Sequence, residues 1–126
     1  QVIGAMRSAG FGRIVNMASL SATAPNYGET SYGAAKGAMI SLTKALAKES
    51  IAKGITVNAV SPGYCDTDMV NTAPQDWLDN LKANVIPAGR LGTPEEVARC
   101  VLFLAAEDAG FITGAALDVN GGQLMR

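Results

Sequence analysis

Apolar and polar residues follow one another along this chain in a pattern that predicts three buried strands. Residues 12–19, 55–60 and 115–119 form short apolar runs bounded by glycine or polar residues. Such runs are typical of strands that are covered on both faces. Residues 31–53 have apolar residues at helical spacing, and Gly54 then supplies a helix stop.

The remaining segments predict further helices and loops. Residues 1–9 resemble the end of a helix, and residues 73–85 a shorter amphipathic helix. A helix is predicted to start at Thr93, Pro94 and Glu96. The threonine can cap the helix N-terminus, the proline suits the first turn, and the glutamate completes a capping box. That helix is expected to reach about Glu107.

Long helices between short strands favour parallel crossovers, and the sequence therefore predicts a layered α/β fold. Three parallel strands alone make a small sheet, and the chain does not begin with Met. We therefore expect part of the domain to lie outside these residues.

Composition excludes several classes of protein. The chain has 126 residues, of which 48% are apolar, 10 are basic and 11 are acidic, and it contains no His. The lack of His excludes Ser-His-Asp triads, and the even charge gives no basic surface for nucleic acid. The two cysteines, Cys65 and Cys100, fit no metal pattern. No signal sequence or membrane span is evident, so the expected location is cytoplasmic.

Tyr32 and Lys36 lie four residues apart in the predicted long helix, so their side chains share one face. A lysine ammonium beside a phenol favours the phenolate, and such a tyrosine can exchange a proton with an alcohol or carbonyl oxygen. The alternative is an ordinary pair of surface residues, because this spacing is common by chance.

Ser19 ends a predicted parallel strand, where sites of open α/β sheets form. Its hydroxyl could bind a substrate oxygen, although Ser21 is a near competitor and a turn or cap serine is the alternative. Pro62 and Gly63 end the second strand, and Thr67 follows. They could approach a flat ligand or form an ordinary strand-exit turn.

Four motifs occur along the chain, and these are Asn16-Met17-Ala18-Ser19, Tyr32-Gly33-Ala34-Ala35-Lys36, Asn58-Ala59-Val60-Ser61-Pro62-Gly63 with Thr67, and Asn120-Gly121-Gly122. In their order and spacing these motifs resemble those of the short-chain dehydrogenase/reductase family. Within it the sequence is similar to the 3-oxoacyl-carrier-protein reductases and acetoacetyl-CoA reductases.

The resemblance implies a Rossmann-type, doubly wound parallel sheet of which residues 1–126 form the C-terminal half, without the N-terminal dinucleotide-binding half. It implies an oxidoreductase that interconverts a carbonyl and a secondary alcohol with NADP or NAD, here a 3-oxoacyl thioester. A homo-oligomer, tetramer or dimer, is also implied. No metal is expected.

The resemblance also assigns roles. Tyr32 would be the general acid/base, Lys36 would favour its phenolate and hold the nicotinamide ribose, and Ser19 would orient the substrate oxygen. The cofactor would further contact Pro62, Gly63, the Cys65 backbone and Thr67. Asn26, Glu29 and Tyr64 would join Ser19 in binding substrate.

Some features depart from the family pattern. The glycine-rich turn that holds a pyrophosphate is missing, and Gly10-Phe11-Gly12 precedes a strand instead of opening a helix. Glu29 stands where these reductases tend to have glutamine. Two alternatives therefore remain: a dehydrogenase of another alcohol, such as a sugar alcohol, a steroid or a small secondary alcohol, or an inactive fragment or subunit that needs a partner half.

Overall fold

A parallel sheet of three strands forms the centre of the computed structural model, which describes residues 2–125. The strands are β1 (Gly12–Met17), β2 (Ile55–Pro62) and β3 (Ala116–Val119), in the order β1-β2-β3. Both pairings are parallel, so each connection crosses from one end of the sheet to the other.

Within the described part of the chain, five helices connect and cover the strands, and these are α1 (Val2–Ala9), α2 (Thr30–Ser50), α3 (Asp68–Asn71), α4 (Gln75–Asn80) and α5 (Pro94–Ala105). Short 3-10 turns occupy Leu20–Ala22, Ile51–Lys53 and Glu107–Ala109, and a π-helical turn occupies Leu81–Val85.

The core lies on both faces of β2, whose side chains alternate between two layers of helices. On one face Ile55 and Val57 pack against Ala47 of α2. On the other face Val60 packs against Val97 and Leu104 of α5. The complete burial of Ile55, Val57 and Val60 explains the continuous apolar run in the sequence.

The predicted parallel α/β architecture is confirmed, with three strands and flanking helices where the sequence indicates them. The first strand ends at Met17 instead of residue 19. The reason is that Ser19 caps the 3-10 turn at Leu20–Ala22.

The segment between β2 and α5 contains the other differences. Helix α3 is unpredicted, although Thr67 caps it and Asp68 lies in its first turn, a helix-start pattern. The predicted helix at residues 73–85 is α-helical only over Gln75–Asn80 and then widens into the π-helical turn.

None of the helices within residues 2–125 combines the length and the apolar character needed to span a bilayer.

Candidate active site

The carboxyl ends of β1 and β2 meet the first turns of α2 around a cavity, which we name the inner cavity. Its volume is about 240 Å³. Its lining comprises Ser19, Leu20, Ser21, Asn26, Glu29, Tyr32, Pro62, Gly63, Tyr64 and Met69. The structure therefore brings together at one sheet edge seven of the residues selected from the sequence, as the parallel topology requires.

Ser19 is held in the wall of the inner cavity by its own backbone turn. Its backbone is extended, and its Oγ accepts a hydrogen bond from the N–H of Ser21 at 3.2 Å. Because a hydroxyl both accepts and donates, its O–H can still donate to a ligand.

Ser21, the competing serine, also lines the inner cavity. Its side chain contributes to the lowering of the pKa of the Glu29 carboxyl. Both serines of the sequence-based alternative therefore lie at the same cavity.

Tyr32 and Lys36 lie one turn apart at the start of α2, as the spacing predicts. The Tyr32 side chain is about half exposed, with 48% of its surface accessible. The Lys36 Nζ lies 5.7 Å from the Tyr32 ring centroid and donates a hydrogen bond to the carbonyl oxygen of Met17 at 2.8 Å. The end of β1 therefore fixes the ammonium beside the phenol, and two of its three N–H groups remain for other acceptors.

A second cavity, the strand-end cavity, adjoins the inner cavity beyond the end of β2. It has a volume of about 350 Å³. It is lined by Pro62, Gly63, Tyr64, Cys65, Thr67, Val70, Pro94 and Val97. All four residues selected for the turn beside the cofactor are thus in one place. Pro62, Gly63 and Tyr64 line both cavities.

Local packing explains several residue types in the strand-end cavity. A Cβ at Gly63 would collide with Gln123 and Asn120, so the C-terminal segment requires glycine there. The Thr67 Oγ accepts the N–H of Val70 and caps α3. These contacts agree with a strand-exit turn at Gly63, one of the two alternatives that the sequence left open.

Cys65 contributes to this cavity as a neutral thiol. Burial raises the pKa of the Cys65 thiol, and the nearby Glu96 carboxylate raises it further.

Three residues of the inner cavity are joined by hydrogen bonds that the sequence does not predict as a set. Glu29 Oε2 accepts the N–H of Asn26 at 2.7 Å, and Asn26 Nδ2 donates to Tyr64 Oη at 3.2 Å. The sequence does carry one sign of this turn, because Asn26 and Glu29 have capping-box spacing. The contact with Tyr64 spans 38 residues and has no local signal.

These contacts also set the charges of the three side chains. The backbone N–H of Asn26 lowers the pKa of the Glu29 carboxyl. Burial opposes this effect, and the Ser21 and Asn26 side chains lower the pKa by smaller amounts. Burial, reinforced by the Glu29 charge, raises the pKa of the Tyr64 hydroxyl. Glu29 is therefore ionised and Tyr64 protonated at neutral pH.

Comparison with known proteins identifies the family of this chain. Residues 1–123 match a family model described as enoyl-(acyl carrier protein) reductase. The chain is 56% identical over 118 residues to the acetoacetyl-CoA reductase of Rhizobium meliloti, which covers 94% of this chain and 49% of that protein. The chain belongs to the short-chain dehydrogenase/reductase family.

Two further relatives of this short-chain dehydrogenase/reductase carry similar names. The acetoacetyl-CoA reductase of Cupriavidus necator is 48% identical over 122 residues, 97% of this chain and 49% of that protein. The 3-oxoacyl-[acyl-carrier-protein] reductase of Haemophilus influenzae is 48% identical over 112 residues, 89% of this chain and 46% of that protein. The chain thus spans about half the length of the curated relatives it matches.

The family resemblance inferred from the four motifs is confirmed, and with it a partial Rossmann-type α/β fold. Within residues 2–125, this short-chain dehydrogenase/reductase has no group of three or more Cys, Asp or Glu side chains arranged to hold a metal ion.

Proposed function

We propose that the protein containing this chain reduces the carbonyl of a 3-oxoacyl thioester to an alcohol with a nicotinamide cofactor. The observation that carries the proposal is the common placement of Ser19 and Tyr32 in the inner cavity, with the Lys36 ammonium anchored beside the phenol. The printed names of the relatives, acetoacetyl-CoA reductase and 3-oxoacyl-[acyl-carrier-protein] reductase, support this substrate class.

Proton transfer is the task of the side chains. Ser19 donates a hydrogen bond to the substrate carbonyl oxygen and holds it near Tyr32. The Tyr32 hydroxyl gives its proton to that oxygen as the alcohol forms, and the Lys36 ammonium stabilises the phenolate that remains. When bound, the nicotinamide cofactor supplies the hydride.

The donors present fit the nicotinamide side of such a cofactor. The two remaining N–H groups of Lys36 suit the hydroxyls of a ribose, and Tyr32 lies one turn away. The strand-end cavity offers Pro62, Gly63, the Cys65 backbone and Thr67 for the nicotinamide ring and its amide. Its junction with the inner cavity would place the ring against the substrate. NADP and NAD share this part, so either one satisfies these contacts.

We assign Asn26, Glu29 and Tyr64, which line the inner cavity together with Ser19 and Tyr32, to the binding of substrate. Whether residues 1–126 form the C-terminal part of a larger Rossmann-type domain stays a prediction, as do the homo-oligomer and the cytoplasmic location.

The test is an assay of the protein containing this chain with acetoacetyl-CoA and either NADH or NADPH, following oxidation of the nicotinamide. Crotonyl-CoA is the comparison substrate, because the family description names enoyl reduction. We expect turnover of acetoacetyl-CoA and formation of 3-hydroxybutyryl-CoA. Turnover of crotonyl-CoA alone, or of other alcohols or ketones alone, would overturn the proposal.

A further inference from the structure

Two hydrogen bonds join helix α2 to strand β1 within residues 2–125, and they start from consecutive residues at the end of the strand. Lys36 Nζ donates to the carbonyl oxygen of Met17 at 2.8 Å. Asn16 Nδ2 donates to Thr43 Oγ1 at 2.9 Å, about two helical turns further along α2. The first bond belongs to the candidate active site, and the second lies outside its cavities.

The Asn16–Thr43 bond has a single polarity, because the threonine hydroxyl is committed on both sides. Thr43 Oγ1 donates to the carbonyl oxygen of Met39 at 2.8 Å, so its oxygen is left to accept from the Asn16 amide. Thr43 is only 1% exposed, which keeps water away from the hydroxyl. The bond therefore ties the strand, through Thr43, to one point on the backbone of α2.

Apolar packing between the two hydrogen bonds does not fix this position by itself. Ile40 of α2 packs against Ala18 and Ala59 at the ends of the strands. Hydrophobic contact is not directional, so it tolerates a small displacement of the helix along the sheet. A hydrogen bond, in contrast, weakens steeply when its distance or angle changes. The Asn16–Thr43 bond thus sets where the end of β1 lies along α2.

This position determines where the Lys36 ammonium lies. A lysine side chain is a flexible stem, and the acceptor that holds Lys36 Nζ at 5.7 Å from the Tyr32 ring centroid is the Met17 carbonyl. Asn16 and Met17 are consecutive, so a displacement of one moves the other. A change at Thr43 is therefore transmitted through the strand end to Lys36.

We propose that Asn16 and Thr43 are positioning residues for Lys36. Their bond holds the Met17 carbonyl within reach of the Lys36 ammonium and thereby keeps this charge beside Tyr32. Neither residue lines the inner cavity or the strand-end cavity, so both act through Lys36 and not on a ligand. This inference rests on the proposed function.

Thr43→Val tests the inference in the protein containing this chain, because valine keeps the shape of threonine and removes its hydroxyl. The measurements are kcat for acetoacetyl-CoA reduction and the Kd of NADH or NADPH. We expect kcat to fall about tenfold, since small misplacements of a catalytic group cost up to about 100-fold. The Kd should rise about threefold, because Lys36 would hold the ribose less well. A smaller folded fraction would leave the Kd unchanged.

Two further variants separate the hydrogen bond from the packing of Thr43. Thr43→Ser keeps the hydroxyl and should retain both kcat and Kd. Asn16→Ala removes the donor at a partly exposed position, so it tests the same bond even where Thr43→Val lowers stability. The double variant of Asn16→Ala and Thr43→Val should lose no more than either single variant.

Thr56→Val is the matched control. Thr56 lies in β2, is 1% exposed like Thr43, and its Oγ1 has no hydrogen-bond partner among the described residues. The same substitution in the same core, without a bond to break, should leave kcat and Kd unchanged.

A variant cycle with Lys36→Ala decides whether the effect passes through Lys36. With the ammonium absent, Thr43→Val should lower kcat no further. An equal loss with and without Lys36 would overturn the inference, because the bond would then act on the fold in general. Unchanged kcat and Kd in both Thr43→Val and Asn16→Ala would also overturn it. No turnover of acetoacetyl-CoA by the unaltered protein is a different result, which would overturn the proposed function and this inference with it.

Discussion

Lys36 links three parts of the site through one ammonium group. It donates to the carbonyl oxygen of Met17 and lies beside the Tyr32 ring. In the proposed function its remaining N–H groups would hold a ribose. The spacing of Tyr32 and Lys36 is local, so the sequence predicts their shared face. Their approach to the end of β1 is set by tertiary packing.

We expect Lys36→Ala to impair both cofactor binding and turnover. Loss of hydrogen bonds from a charged group should weaken nicotinamide binding about tenfold or more. Loss of support for the phenolate should lower kcat by about 100-fold or more. Fluorescence titration with NADH or NADPH and steady-state kinetics measure the two effects.

Lys44→Ala is the control for this prediction, because Lys44 is exposed on the same helix and lines neither the inner nor the strand-end cavity. Normal cofactor affinity in Lys36→Ala would contradict the role assigned to its free N–H groups.

At the level of elements, α5 shows how well a local signal predicts a helix start. Thr93 Oγ accepts the N–H of Glu96, and Glu96 Oε2 accepts the N–H of Thr93, as the capping box predicts. The structure adds Arg90, which pairs with Glu96 at 2.7 Å. That partner precedes the helix and has no sequence signal of its own.

The start of α5 should lose stability in acid. Arg90 first, and then the Thr93 N–H, lower the pKa of Glu96 from 4.5 to about 2. A carboxyl with a lowered pKa stabilises the fold above its unfolded pKa, and the effect is lost as the pH falls through the folded value. The stability difference between the unaltered protein and Glu96→Gln should therefore be constant above about 4.5 and vanish toward pH 2.

Urea unfolding at several pH values measures this difference, with Glu95→Gln in the same exposed first turn as the control. A difference that persists unchanged at pH 2 would show that the carboxylate is not its source.

Gly54 ends the helical segment before β2 in the left-handed conformation, with φ +70°. A Cβ at this position would also collide with the carbonyl oxygen of Gly10. Gly54→Ala should therefore destabilise the protein by more than the roughly 1–2 kcal/mol that left-handed backbone alone costs.

Gly89→Ala provides the comparison, because Gly89 has φ +71° with no atom within 4 Å of a built Cβ. The unfolding free energy is measured for both variants. The difference between their two losses gives the cost of the collision with Gly10. Equal losses would mean that the turn at Gly10 moves away without cost.

The long helices and the strands could be predicted from the sequence, whereas the short helical elements in the segment after β2 were harder to predict. The strands and α2 have continuous patterns that packing reinforces. Helix α3 has only four residues, and the π-helical turn continues α4 without any change in its apolar pattern. A pattern of 3.6-residue period cannot register such a local widening.

For the whole molecule, the parallel crossovers explain why scattered residues could be grouped from sequence. Crossovers return every strand end to the same edge, so Ser19, Tyr32, Pro62 and Gly63 had to come close together. The Asn26–Tyr64 hydrogen bond could not be predicted from the sequence, because it joins a loop and a strand exit that meet only in the folded chain.

The central claim is that Tyr32 transfers the proton at the carbonyl of a 3-oxoacyl thioester. The most direct measurement is the rate of acetoacetyl-CoA reduction by Tyr32→Phe, with nicotinamide affinity determined on the same sample. Phenylalanine keeps the ring and removes only the hydroxyl, so we predict a loss of kcat of about 100-fold or more with cofactor affinity nearly intact. Turnover equal to that of the unaltered protein would contradict the account.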